Sequence, residues 1–177
     1  MDRITIVKSD ITKLDTDAVV NAANSRLQAG GGVCGAIFKA AGYHRLQDAC
    51  NKIGHCDTGS AVITPGFELK AKYIIHAVGP RWLDGNHEED RQLYKAYTKA
   101  LELAVENKCS SIAFPLISAG IFGFPTQSYA LHTIMHHLHD YGNVRYEMGY
   151  ACTIAVVLFF IMLICNVLVQ KLLRKIG

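Results

Sequence analysis

The chain has 177 residues, half of them hydrophobic, with 19% charged and a formal net charge of +3. That is the length of one ordinary domain with ample material for a core, and fewer charges than the roughly one quarter usual in soluble domains. A charge of +3, with no run of Lys and Arg interleaved with aromatics before the last few residues, gives no argument for a nucleic-acid partner. The six cysteines form no CxxC pair and no zinc-finger spacing with histidine. The charged, alternating start MDRITIVKSD is unlike a secretory signal. The expectation is a reducing, cytoplasmic setting with free thiols.

In chain order, Ile4–Val7 and Ala18–Asn21 are short β-rich runs separated by the turn-like ITKLDTD. Gly30, Gly31 and Gly32 follow, then helical patterns over Val33–Ala41 and Leu46–Ile53. Ala61–Thr64 and Tyr73–Val78 are predicted strands, with Pro65-Gly66 turning between them. Glu88–Glu106 places Leu93, Ala96, Tyr97, Ala100, Leu101 and Ala104 at three- and four-residue steps, the period of a helix. Ser111–Pro115 reads as a buried strand, and Pro125 opens a helix running to about Asp140. Strands alternating with helices predict a three-layer α/β domain with a largely parallel sheet, and no repeat or inter-domain linker interrupts it.

Two readings fit the C-terminal region. Tyr150–Val169 contains no charged residue and is followed by Lys171, Arg174 and Lys175, which meets the ~20-residue length rule for a membrane span. The domain would then be anchored to a membrane, facing the cytoplasm. Alternatively Thr153–Phe160, rich in β-branched and aromatic residues, is a central strand, and Ile161–Ile176 a final helix with Asn166, Gln170 and Arg174 on one stripe.

The strongest local signal is VVNAANSRLQAGGGVCGAIFKAAG, Val19–Gly42. A strand runs into Asn21 and Asn24, three glycines follow, and a helix starts near Val33. Glycine permits close backbone approach. A helix N-terminus offers unpaired N–H groups and partial positive charge, a seat for pyrophosphate, and carboxamides suit ribose hydroxyls. The spacing is neither GxGxxG nor a P-loop. A second loop, LISAGIFGFPT (Leu116–Thr126), also runs from a strand toward a helix. Ligands of parallel α/β sheets bind beyond the carboxyl ends of strands, so the two loops can clasp one diphosphate. One of Phe122 and Phe124 is expected to anchor the loop by packing. Asp10 either caps the ITKL turn or accepts from an amine such as that of adenine. His76, inside the apolar run YIIHAVGP, reads as a hydrogen-bonded core histidine. His132, His136, His137 and His139 read as a solvated helix face, with no glutamate placed as in HExxH.

Five ordered pieces carry a resemblance: SDIT (Ser9–Thr12), VVNAANSRL (Val19–Leu27), GGGVCGAIFKAAG (Gly30–Gly42), TGSAVITPGFELKAKYIIHAVGP (Thr58–Pro80) and PLISAGIFGFP (Pro115–Pro125). Together they resemble the macro domain family, most closely its MacroD-type ADP-ribosyl hydrolases, over about residues 3–140. The resemblance implies a three-layer α/β/α fold on a mixed six-stranded sheet, with the whole chain as one domain. It implies an ADP-ribose cleft and hydrolysis of ADP-ribose esters: O-acetyl-ADP-ribose, or mono-ADP-ribose on acidic side chains of an ADP-ribosylated protein. The alternative is a reader that binds ADP-ribose without cleaving it. No cofactor or metal is implied. Carried over by position, Asp10 binds the adenine amine beside Ile11, and Asn24 holds the distal ribose. Gly31, Gly32 and Val33 line the diphosphate, while Ser118, Gly120, Ile121 and Phe122 close over it. Phe159 stands nearest the place of an adenine-stacking aromatic. Cys34 stands where the MacroD-type branch commonly has Asp, implicated in activating water. A thiol replaces that carboxylate poorly, though at a helix N-terminus it is itself a candidate nucleophile.

Overall fold

The computed structural model describes residue 5 and residues 7–125. The readings placed on Pro125–Asp140, Tyr150–Val169, Thr153–Phe160 and Ile161–Ile176 lie outside these residues, wholly or after Pro125, and so do Phe159 and the four C-terminal histidines. The run Ile4–Val7 lies partly outside them.

Four strands are described: β1 (Ala18–Ala22), β2 (Ser60–Pro65), β3 (Tyr73–Val78) and β4 (Ile112–Ala113). Their order is β2-β3-β1-β4. β1 lies parallel to β3 and β4, whereas β2 runs antiparallel to β3, so the described sheet is mixed with two of its three ladders parallel. The antiparallel pair follows from the Pro65-Gly66 turn, a connection too short for the crossover that parallel strands need. At Gly66 an added Cβ would lie 1.8 Å from the carbonyl oxygen of Ala71, so only glycine permits the return. β4 is shorter than the Ser111–Pro115 expected: beyond Ala113 the ladder to β1 ends, and Tyr97 Oη takes over, donating to Pro115 O (3.3 Å) and accepting from Ile117 N (3.2 Å). Four of the six expected strands are thus seen.

The helices are α1 (Gly32–Ala41), α2 (Tyr43–Ile53) and α3 (Glu89–Glu106), preceded by a 3-10 turn at Ile11–Lys13. α2 begins three residues before the predicted Leu46, because Gly42 at φ 90° lets the chain leave α1 and restart at once. Cys34, Ile37, Phe38 and Ala41 form the buried stripe of α1, and Leu46 and Cys50 that of α2. They meet Val19, Ile74 and Val78 of the sheet in one core cluster. α3 buries Leu93, Ala96, Ala100 and Ala104 and packs on β2 and β3. Alternation along β3 sends Ile74 and Val78 one way and Ile75 and Ala77 the other, so helices cover the sheet on two sides. Among the described residues no helix is long and apolar enough to cross a membrane.

Candidate functional site

The chain leaves β1 through a turn that the side chain of Asn24 braces. Asn24 Nδ2 donates to Gln28 O (2.6 Å), and Gln28 N donates to Asn24 Oδ1 (3.2 Å). Each end keeps spare capacity, one hydrogen on nitrogen and one lone pair on oxygen. Leu27, buried and at φ 55°, plugs the turn into the core. From α2, Gln47 Nε2 donates to Leu27 O (3.2 Å) and Gln47 Oε1 accepts from Ala29 N (3.0 Å). Asn51 Oδ1 accepts from both Gln47 and Gln28. The sequence reading missed Gln47 and Asn51; their signal is two amides four residues apart beside the buried Leu46 and Cys50.

Beyond this turn the glycines reach α1, whose first residue, Gly32, has φ 59° with Gly31 as N-cap. Gly31 and Gly32 are exposed and Val33 is half-buried. The amides of the first helical turn lack intrahelical acceptors and carry the positive end of the helix dipole. Gly35 is wedged beneath: an added Cβ would stand 2.4 Å from the carbonyl oxygen of Gly30.

Behind the loop lies a buried polar cluster. Cys34 is 6% exposed, its Sγ 3.7 Å from Asn21 Nδ2 and 3.9 Å from Gln28 O. Asn21 Nδ2 also lies 3.1 Å from His76 Nδ1, and His76 Nε2 is 3.0 Å from Thr64 Oγ1 and 3.8 Å from Cys50 Sγ. With Asn21 donating to Nδ1, the imidazole proton sits on Nε2 and faces Thr64. Burial pushes the His76 imidazole down to about 4, so it is neutral near neutrality, a bonded core histidine. Among the described residues Cys34 therefore has no direct histidine partner; Asn21 stands between it and His76. The thiol is turned toward Asn21 and the turn at Gln28, and it does not line the cavity described next.

The second loop is held in a strained shape. Ser118 is buried with φ 64°, a left-handed conformation costing about 1–3 kcal/mol for a non-glycine residue. Phe124 N donates to Ser118 O (3.0 Å), Gly123 N to Gly120 O (2.9 Å) and Trp82 N to Phe122 O (2.8 Å). Of the two loop aromatics, Phe124 is the anchor, buried and edge-on to Trp82 with ring centroids 4.8 Å apart. Phe122 instead faces a cavity of about 550 Å³ shared with Asn24, Gln28 and the β3 end at Val78 and Gly79. Ile121 is 90% exposed and Gly120 is also exposed. Gly79 is pressed on the loop, its would-be Cβ 2.2 Å from Ser118 Oγ. Asn21 Oδ1 and Ser118 Oγ are buried polar atoms with no partner among the described residues.

The cavity lies where three neighbouring strands, β1, β3 and β4, end, all pointing the same way. That is the location where open α/β sheets bind ligands. Asn24 and Phe122, distant in sequence, come together there. Gly31, Gly32, Val33, Ser118, Gly120, Ile121, Asp10 and Ile11 do not line it. Asp10 caps its turn, accepting from Thr12 N (3.0 Å) and Thr12 Oγ1 (2.8 Å), and these bonds hold its carboxyl below the usual range. Ile11 is half-buried against the core.

A further device fixes the segment after β3. Glu89, 2% exposed at the start of α3, accepts on Oε1 from the amides of Leu83, Asp84 and Gly85 and on Oε2 from His87. Burial opposes its charge, but the amides of Glu89 itself, His87, Leu83 and Gly85 outweigh that and leave the carboxyl at about 2. Asp84, His87 and Glu89 bring ligand atoms within 4.8 Å of one another, yet the Glu89 oxygens are already occupied by amides. Because its carboxyl is depressed in the fold, Glu89 stabilises fully above an unfolded value of about 4.5, and the contribution disappears as pH falls through about 2. Glu89→Gln is expected to lower the urea midpoint at pH 7 and to flatten the wild-type decline between about pH 4.5 and 2. Parallel acid profiles of the two proteins would refute that role.

The profile of the macro domain family matches residues 20–133. A macro domain-containing protein of Listeria monocytogenes is 54% identical over 156 residues, covering 84% of this chain and 89% of the relative. A protein of Escherichia fergusonii named O-acetyl-ADP-ribose deacetylase is 53% identical over 127 residues, covering 70% of this chain and 71% of its own. Among solved structures, the macro domain of Oceanobacillus iheyensis with ADP is 43% identical with a TM-score of 0.67, the match covering 72% of each chain.

Proposed function

Because this chain belongs to the macro domain family, we propose that its cleft binds ADP-ribose and hydrolyses ADP-ribose esters. One observation carries the reading: Asn24 and Phe122 converge on a cavity at the ends of three parallel strands, and the turn that Asn24 braces leads through glycines into a helix N-terminus. The relative named as a deacetylase and the neighbour solved with ADP support it. In this reading the amides of Gly31, Gly32 and Val33 face one side of the diphosphate, and Ser118, Gly120 and Ile121 the other. Asn24 uses its spare hydrogen and lone pair on the distal ribose, and Phe122 stacks against that ribose. Asp10, released in part from Thr12, meets the adenine amine beside Ile11. Phe159 keeps its assignment to adenine as an expectation from the sequence.

For hydrolysis, water adds to the ester carbonyl carbon and the bond from that carbon to the ribose oxygen breaks. The ribose oxygen takes a proton, and free ADP-ribose and a carboxylic acid leave. Positioning and fixed amide dipoles supply most of the gain, since a preorganised site spends no reorganisation energy during the reaction. Turnover of O-acetyl-ADP-ribose, followed by product formation, tests this.

A specific observation favours the second reading, a non-cleaving reader: Cys34 stands at the usual carboxylate position with its thiol buried. Cys34→Asp is expected to raise turnover by about tenfold or more, within the range of general-base catalysis. An unchanged rate would point to a route independent of this position. ADP-ribose binding without product in either protein selects the reader.

A further inference from the structure

The cavity beside Asn24 has basic residues on its rim that the reading so far does not use. Its volume of about 550 Å³ is of the size that holds a drug-sized ligand. Its rim carries two arginines, Arg26 and Arg81, together with Thr58, and among the described residues no carboxylate lines it. Neither guanidinium is paired with a carboxylate among the described residues. Arg26 sits two residues beyond Asn24. Arg81 is set by a chain of contacts: its Cζ lies 5.8 Å over the Phe122 ring, Trp82 N is bonded to Phe122 O, and Glu89 holds the amides from Leu83 to Gly85. A guanidinium held over an aromatic face keeps its planar fork preorganised for an oxyanion. Both line the cavity that Asn24 and Phe122 also line.

We propose that Arg26 and Arg81 form a subsite for acidic peptide flanking the modified residue, and so select ADP-ribosylated proteins whose modified side chain lies in an acidic segment. The inference rests on the reading of the cleft as an ADP-ribose site. It adds a determinant that distinguishes peptides carrying the same ADP-ribose. An acetyl ester offers the two guanidiniums no carboxylate, whereas acidic residues flanking the attachment point do.

The test uses two peptides carrying ADP-ribose on the same glutamate, one flanked by Asp and Glu, the other by Asn and Gln. The affinity of each is measured by calorimetry and, where product forms, kcat/KM is measured as well. The wild type is expected to favour the acidic peptide by about three- to tenfold, the scale of two exposed charge pairs, and the preference should shrink with added salt. Arg81→Gln and Arg26→Gln should each reduce it, and the double variant should abolish it; because the preference is a ratio between two peptides that carry the same ADP-ribose, any change in affinity for ADP-ribose itself cancels. Arg81→Lys, which keeps charge but loses the fork, should retain part. Equal treatment of both peptides by the wild type, or a preference that survives in the double variant, overturns the subsite. If the peptides bind without product, the preference is still read from affinity and only the hydrolase reading fails. If free ADP-ribose does not bind, the cleft reading and this inference fall together.

Discussion

Asn24→Ala is expected to lower kcat for O-acetyl-ADP-ribose by about 100-fold, the cost of losing the group that orients a reacting centre. Two losses combine. The ribose loses its carboxamide partner, and the turn loses both bonds between Asn24 and Gln28. Asn24→Asp separates them, since a carboxylate still accepts from Gln28 N but cannot donate to Gln28 O. It should fall between Ala and wild type in stability and remain deficient in turnover. Steady-state kinetics beside urea melts check this. A wild-type kcat in Asn24→Ala would remove the residue from the site.

Gly35→Ala is the second large effect. The added methyl would stand 2.4 Å from Gly30 O, a backbone atom that moves only with the whole glycine loop. Overpacking of this kind costs about 1–3 kcal/mol, and the displaced amides should weaken ADP-ribose binding by about tenfold or more. Gly31→Ala is the companion. A Cβ at Gly31 meets nothing within 4 Å, and its φ of −85° suits any residue, so the free protein should keep its stability. Loss of affinity in Gly31→Ala would then report a ligand lying close on the backbone. Full affinity in both variants would separate this loop from the ligand.

Much of this site was legible in the sequence. Strand, asparagines, three glycines and helix succeed one another in Val19–Gly42 as expected, and β3 has the predicted bounds because Tyr73–Val78 is an unbroken apolar run around one histidine. His76 is the bonded core residue its surroundings implied, and Phe124 took the anchoring role that either loop aromatic could have filled. What the sequence concealed depends on contacts remote in the chain. Gln47 and Asn51 look like ordinary surface amides until α2 is laid against the turn at Leu27–Ala29. Glu89 reads as one more acid in a helix's first turn, yet it is buried under four backbone amides. Arg81 gains meaning only when Trp82 joins it to Phe122, about forty residues on. α2 starts earlier than its apolar spacing predicts because Gly42 lets two helices abut, and β4 is shorter than predicted because Tyr97 replaces its ladder.

Calorimetric titration of the folded chain with ADP-ribose tests the central claim most directly. Saturable one-to-one binding, weakened in both Gly31→Ala and Asn24→Ala, is the result expected of a cleft built from these two loops. A well-folded sample giving no binding heat and no thermal shift at millimolar ADP-ribose would contradict it.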